Sequence, residues 1–288
     1  MLAIKTGIAA GTGGDISQDD LLTYSNAGVH WLTDFGFQGC YASGVTVPDD
    51  APVANMAVPA NASAVRIPTS AGQPIIANGG LDFRNVTEKA TYLEIPASVA
   101  SAISTFSQKF LFCGYFRMPT EQDWAENSGQ ENTFLNWSPT GSWTSQADIV
   151  SFRMTTNTDV PQIICNRQTS IGNSNGNLAI SPVPDEVFGK PVQLSFWRDS
   201  STEYFSLKTS VGRTTRSQAA GANNSETISA LLGKIGILDA WGTISPQDLE
   251  TRKMRFYRGF LEIPQTSGRD QLTVLEDDWI RTYPRIAE

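Results

Sequence analysis

Glu121-Gln122-Asp123-Trp124-Ala125-Glu126 carries three carboxylates in the spacing E-x-D-x-x-E. On a strand, residues i and i+2 share a face, and a bulge can bring a third side chain round to it. Two carboxyls held about 5–5.5 Å apart would then serve as nucleophile and acid/base of a retaining glycosidase. The surroundings oppose that chemistry. Gln122 separates the first pair, Pro119-Thr120 precedes, and Asn127 to Asn132 reads NSGQEN. This is the composition of a loop, or of one helical turn capped by Thr120. It offers solvent, whereas a glycosidase keeps one carboxyl protonated by burial or by a like charge beside it. We therefore expect Glu121 and Asp123 not to be catalytic, and the chain not to be an enzyme.

Trp124, Trp137 and Trp143 lie close together amid Asn, Ser, Thr and Gly. A sugar has an apolar CH face and a rim of hydroxyls, so its sites pair flat aromatic rings with polar side chains. Trp137 ends an apolar run and reads as core. Trp124 and Trp143 fall in polar loops, which makes them the candidate carbohydrate contacts. Asp148 and Asp159 are the acidic residues best placed for a Ca²⁺ at a rim, but no dense D-x-D-x-D loop surrounds them. No metal or other cofactor is expected. Gly11-Thr12-Gly13-Gly14 has no Lys-Ser/Thr and no buried strand ahead of it, so it is not a phosphate cradle.

Composition narrows the classes further. His30 is the only histidine, which removes zinc sites and proton relays built on two. Lys+Arg 21 against Asp+Glu 29 gives a net charge of −8, opposing nucleic acid and anionic membranes as partners. Cys40, Cys113 and Cys165 are odd in number and far apart, and so read as free thiols in a reducing compartment. The first residues lack the basic start and apolar run of a signal peptide, and no apolar stretch is long enough to span a bilayer. A protein made and kept in a cytoplasm is expected.

The elements that must position these residues change character near residue 80. Residues 1–78 are rich in Gly, Ala, Pro, Asn and Ser, with five prolines from Pro48 to Pro74. Proline lacks a ladder donor, so this region reads as an extended N-terminal arm with a strand near Val29–Phe37. From 79 to 288 the pattern is strand, turn, strand. LDFRN and TYLEIP open it, and KFLFCGYFRM (109–118) suits a central strand buried on both faces. TFLNWS, DIVSFRMTT, VPQIICNRQ and LAISPV follow. The hairpin VQLSFWRD and EYFSLKTS comes next, then KIGILDAWG and MRFYRGFLEIP. Ten or so such strands imply an all-β, two-sheet antiparallel jelly-roll sandwich, with Phe112, Phe116, Phe196 and Leu207 facing inward. Thr273 and Glu276 form a capping-box pattern for a short C-terminal helix, with Leu272, Leu275 and Trp279 on one side.

The order of these pieces resembles a laminin-G-like domain of the concanavalin A-like lectin/glucanase superfamily. Leu81-Asp82-Phe83, then Tyr92-Leu93-Glu94-Ile95-Pro96, match its opening turn and strand. The aromatic strand Phe110–Phe116, the hairpin around Trp197 and Tyr204, Gly259 in the last strand and the closing helix complete the set. The resemblance covers 79–288. It implies a concanavalin A-like sandwich, and E-x-D-x-x-E is the spacing of that superfamily's retaining β-glucanases, which place apolar residues between the carboxylates. A laminin-G-like sandwich behind a Pro-rich arm is similar to tail-fibre, baseplate and decoration proteins of tailed phages. That likeness implies a virion protein assembled in the host cytoplasm, with residues 1–78 binding other virion proteins in a homotrimer. The sandwich would then serve for display or attachment to a host glycan. A capsid decoration protein and a glycan-degrading enzyme are the alternatives.

Overall fold

The computed structural model describes residues 19, 21–22, 28–41, 46–67, 72–86, 91–126, 132–138, 143–155, 161–238 and 253–287. Strands dominate, and every pairing is antiparallel. Sheet A comprises β1 (Val29–Asp34), β4 (Ile75–Ala77), β5 (Gly80–Asp82), β7 (Leu111–Arg117), β12 (Pro191–Arg198), β13 (Thr202–Lys208), β14 (Arg213–Ala219) and β16 (Arg255–Glu262). Their order is β14-β13-β12-β7-β16-β5-β4, with β1 also paired to β16. Sheet B comprises β2 (Pro52–Val53), β3 (Ser63–Arg66), β6 (Thr91–Ile95), β8 (Asn132–Asn136), β9 (Val150–Thr155), β10 (Gln162–Ser170), β11 (Asn173–Ile180) and β15 (Gly233–Ile237). It runs β11-β10-β9-β8-β15-β6-β3-β2. The expected two-sheet antiparallel sandwich is the observed fold.

Aromatic side chains fill the space between the sheets. Phe112 of β7 meets Phe152 and Trp137 edge-on, with ring centroids 5.6 and 5.7 Å apart, and Phe116 meets Phe134 at 5.3 Å. Edge-to-face pairs of this kind add about 0.5–1.5 kcal/mol each beyond the area they bury. Phe112, Phe116, Phe196 and Leu207 are all in this core, as expected. The alternation of β7 also serves its other face. Leu111, Cys113 and Tyr115 join a second apolar cluster, roofed by Val274, Leu275 and Trp279. The three cysteines are free and buried.

The C-terminal helix is longer than its expected cap implies. Helices α1 (Ala97–Thr105), α2 (Glu121–Glu126), α3 (Pro184–Val187) and α4 (Pro264–Ser267) precede α5 (Gln271–Ile286). Asp270 caps α5 by accepting from the Thr273 amide at 2.8 Å, so the helix starts one turn before the expected Thr273–Glu276 box. Glu276 instead pairs with Arg213 and Lys208 on sheet A, and Leu272 is exposed. Underneath, a bulge at β16 sets both Tyr257 and Arg258 opposite Tyr115. Arg258 is buried there among Asp19, Asp34 and Asp278 at 2.7–3.0 Å. Burial alone would lower its pKa, but the three carboxylates hold it well above the ordinary value.

One expectation needs correction, and two elements were not expected. Residues 29–77 are not an arm lying outside the sandwich. β1 and β4 extend sheet A, β2 and β3 extend sheet B, and Trp31, Val53 and Val65 are fully buried in the shared core. Pro52 fits because it lies in β2, the terminal strand of its sheet, where a missing ladder donor costs nothing. β14, Arg-Thr-Thr-Arg-Ser-Gln-Ala, is a strand that the sequence pattern does not announce. It is the mostly exposed edge of sheet A and so lacks apolar alternation. α1 is also unexpected, and it buries Val99, Ala100 and Ile103 at helical spacing. Residues 1–18, including Gly11–Gly14, lie outside the described residues. No described helix is long and apolar enough to cross a membrane.

Candidate functional site

The E-x-D-x-x-E carboxylates lie on α2, a helix and not a strand. Thr120 caps it: its hydroxyl donates to Asp123 Oδ2 at 2.7 Å and accepts from the Asp123 amide at 3.1 Å. Positions two apart on a helix face different ways, so Glu121 and Asp123 do not share a face as a hydrolase strand requires. Trp124 belongs to α2, and its side chain lies outside the described residues.

Trp143 is 5% exposed, which corrects the expectation of an open aromatic platform. The buried Gln168 holds down the backbone of this loop. Its Nε2 donates to the carbonyls of Trp143 and Gln146 at 3.0 and 2.9 Å, and its Oε1 accepts from the Asp148 amide. The loop is thereby strapped onto β10. Asp148 is fully buried and accepts from the Trp137 and Ile149 amides through one oxygen. Those bonds tie β8 to β9, and no group of three potential metal ligands occurs among the described residues. Asp159 lies outside them.

A different set of residues comes together on the outer face of sheet B. Ile235, Leu93, Leu135, Phe152 and Cys165 point into the core, so their neighbours along each strand point away from it. Glu94 pairs with Lys234, Lys234 with Asn136, and Ser151 with Asn166. Leu135 pairs with Phe152, which brings the next residues, Asn136 and Ser151, side by side. The outcome is one polar row across five adjacent strands: Glu94, Lys234, Asn136, Ser151, Asn166. Side chains directly opposite in such a ladder have Cβ atoms about 4.5–5.5 Å apart.

The ends of this row are satisfied and its centre is not. Glu94 accepts from Arg66 at 2.8 Å, and Asn166 accepts from Arg153 Nε at 3.0 Å. Between them, Lys234 Nζ, both ends of the Asn136 amide and Ser151 Oγ have no hydrogen-bond partner, though each residue is at most 1% exposed. Each such group costs about 1–3 kcal/mol when buried alone. Tyr92, half-buried, lies beside the row with its ring centroid 5.9 Å from Lys234 Nζ. Opposite Tyr92 stands Gly236, where any Cβ would lie 2.6 Å from the Tyr92 Cα. Burial pushes Lys234 down to about 8 and the nearby Asp148 up to about 7. The arrangement combines an aromatic ring with donors and acceptors that lack partners, but Lys234, Asn136 and Ser151 are closed off from solvent.

Sequence reasoning misses every residue of this row. Their signal is present as the polar positions of TYLEI, FLNWS and KIGIL, but nothing in the chain order shows which strands adjoin.

No protein-family model and no curated protein matches the chain. Similar solved structures include lectin, receptor-binding and phage-tail domains. The botulinum neurotoxin type G receptor binding domain shares 10% identity at a TM-score of 0.49, over 88% of this chain and 51% of that one. This chain thus spans about half the length of that neighbour. The CBM2 module of the evolved Dit of Lactobacillus casei BL23 phage J-1 shares 13% identity at a TM-score of 0.42, over 82% and 95%. Peanut lectin shares 15% at 0.41, over 69% and 88%.

Proposed function

We propose that the chain is a non-catalytic glycan-binding sandwich, with the polar row of sheet B, closed off from solvent in this structure, as its candidate site. The observation that carries this reading is the buried, unpartnered centre of the polar row, Lys234, Asn136 and Ser151. Buried polar atoms in native proteins nearly always have partners, and a saccharide's hydroxyls supply both donors and acceptors. Binding is favoured over cleavage because the row holds one carboxylate, Glu94, already paired with Arg66, whereas glycoside hydrolysis employs two.

A glycan array with the full chain tests this directly. Binding to at least one saccharide class is expected, with no release of reducing ends. Asn136→Leu should weaken it at least tenfold while the melting temperature holds or rises. An array without binding, or binding indifferent to Asn136→Leu and to Ser151→Ala alike, would overturn the reading.

The wider role follows from the sequence resemblance: a tail-fibre, baseplate or receptor-binding component of a tailed-phage particle. Three buried free thiols suit a protein folded in a reducing cytoplasm. Assembly as a homotrimer through the N-terminal residues belongs to the same proposal. Particle images that place the chain on the capsid shell would replace it with a decoration role.

A further inference from the structure

Beyond the glycan-binding reading, we propose that Lys234 and Asn136 form a cross-strand amide bond in the folded chain, joining Lys234 Nζ to Asn136 Cγ with release of ammonia. The closure of the row from solvent favours this chemistry. The two residues are register partners on adjacent antiparallel strands, β15 and β8, in the middle of sheet B. Side chains so placed have Cβ atoms about 4.5–5.5 Å apart, a gap that the flexible four-carbon stem of a lysine spans. Both side chains are buried, and neither Lys234 Nζ nor either end of the Asn136 amide has a hydrogen-bond partner. No hydrogen bond has to break before they meet. Lys234 has only to turn about its own torsions, away from the Tyr92 ring, whose centroid is 5.9 Å from Nζ.

A third group supplies the proton transfers. Asp148 is fully buried; its Oδ1 accepts at 2.9 Å from the amide of Trp137, the residue after Asn136, and its Oδ2 has no partner. Asp148 also attracts Lys234 more strongly than Glu94 does. Glu94, the other register partner of Lys234, is held by Arg66 at 2.8 Å, and a paired carboxylate is a poor electrophile. Desolvation lowers Lys234 to about 8 and raises Asp148 to about 7, so near neutrality some chains hold a free amine together with a carboxylic acid. In that state the Nζ lone pair adds to the Asn136 side-chain carbonyl carbon. The new C–N bond stays as the bond from that carbon to Nδ2 breaks. Asp148 gives its proton to Nδ2, and the carboxylate so formed takes one from Nζ. One amide replaces another and ammonia leaves, so the step needs no oxidant or cofactor. Exclusion of solvent keeps water from competing with the amine.

Intact mass and peptide mapping of the full chain, held near neutral pH and sampled over days, test this. Wild type should come to weigh one ammonia less than its sequence requires. Digestion should then yield a branched peptide joining the Asn136 and Lys234 segments. Lys234→Met and Asn136→Leu should keep the full mass, and Asp148→Asn should slow the loss by roughly tenfold or more. Full mass in wild type at every time would overturn the proposal. So would ammonia loss without the branch, as when an asparagine cyclises on its own backbone, or loss of water with a branch to Glu94. Mass reports the bond and the glycan array reports binding, so either can fail alone. The melting temperature expected of Asn136→Leu is relative to wild type that is still unlinked.

Discussion

Asn136 has no exposed surface and no partner at either end of its amide. Replacing such a group by an apolar one of similar shape can be neutral or stabilising, whereas the same change at a bonded amide is costly. Asn136→Leu should therefore leave stability unchanged or raise it by up to about 2 kcal/mol in denaturant unfolding. A large loss would mean that the amide is bonded after all. Asp148 gives a pH signature of its own. Its folded pKa, near 7, lies above the ordinary 3.8, so its favourable contribution is complete below about pH 4 and disappears as pH rises through 7. Relative to wild type, Asp148→Asn should flatten the fall in stability between pH 4 and 7, a slope of at most about 1.4 kcal/mol per unit. Unfolding at several pH values checks this, and parallel curves would count against the buried proton. At this scale the chain is partly legible. The alternation in TYLEI and in Leu135-Asn136-Trp137 tells which side chains leave the core. Trp143 departs from its sequence expectation in a loop whose backbone is held by Gln168, twenty-five residues away, a contact that chain order does not show.

Strands and helices are held in place by a few non-local contacts. Arg258 joins β16 to β1 through Asp34 and to α5 through Asp278. Removing the guanidinium takes the cation from the buried Asp278, while Asp34 keeps Arg285, and breaking such a buried pair typically costs about 3–5 kcal/mol. Arg258→Met should show a loss of that size by chemical denaturation; a change under about 1 kcal/mol would mean that the cluster is solvated. Gly259 carries a second constraint, since a Cβ there would stand 2.9 Å from the Trp31 and Phe256 rings. Gly259→Ala should cost about 1–3 kcal/mol through overpacking. The aromatic strand β7 is readable because burial on both faces leaves a continuous apolar run. The polar edge strand β14 is not, because an exposed edge carries no such pattern. The start of α5 falls one turn earlier than the capping-box pattern implies, since Asp270 and Thr273 are both good caps and only packing selects between them.

At the scale of the molecule, the sandwich closes only with the strands from residues 29–77. Trp31 stacks between Phe112 and Phe256, with centroids 6.2 and 6.4 Å away, and its indole donates to Ser63 of β3 at 3.0 Å. Deleting residues 1–78 should therefore abolish the cooperative unfolding transition. A truncated chain that melts cooperatively near the wild-type temperature would restore the boundary at 79. The change of composition near residue 80 is real but marks short strands toward the ends of both sheets, of which β2 and β4 are terminal. Topology also creates the proposed site, because only the order β6-β15-β8-β9-β10 brings Glu94, Lys234, Asn136, Ser151 and Asn166 into one row. The most direct test of that site is a crystal structure of the full chain with the tightest-binding saccharide. The ligand should lie on the outer face of sheet B, within hydrogen-bond distance of Lys234 Nζ, Asn136 and Ser151. A saccharide bound on sheet A or at a rim loop, with that row left untouched, would contradict the account.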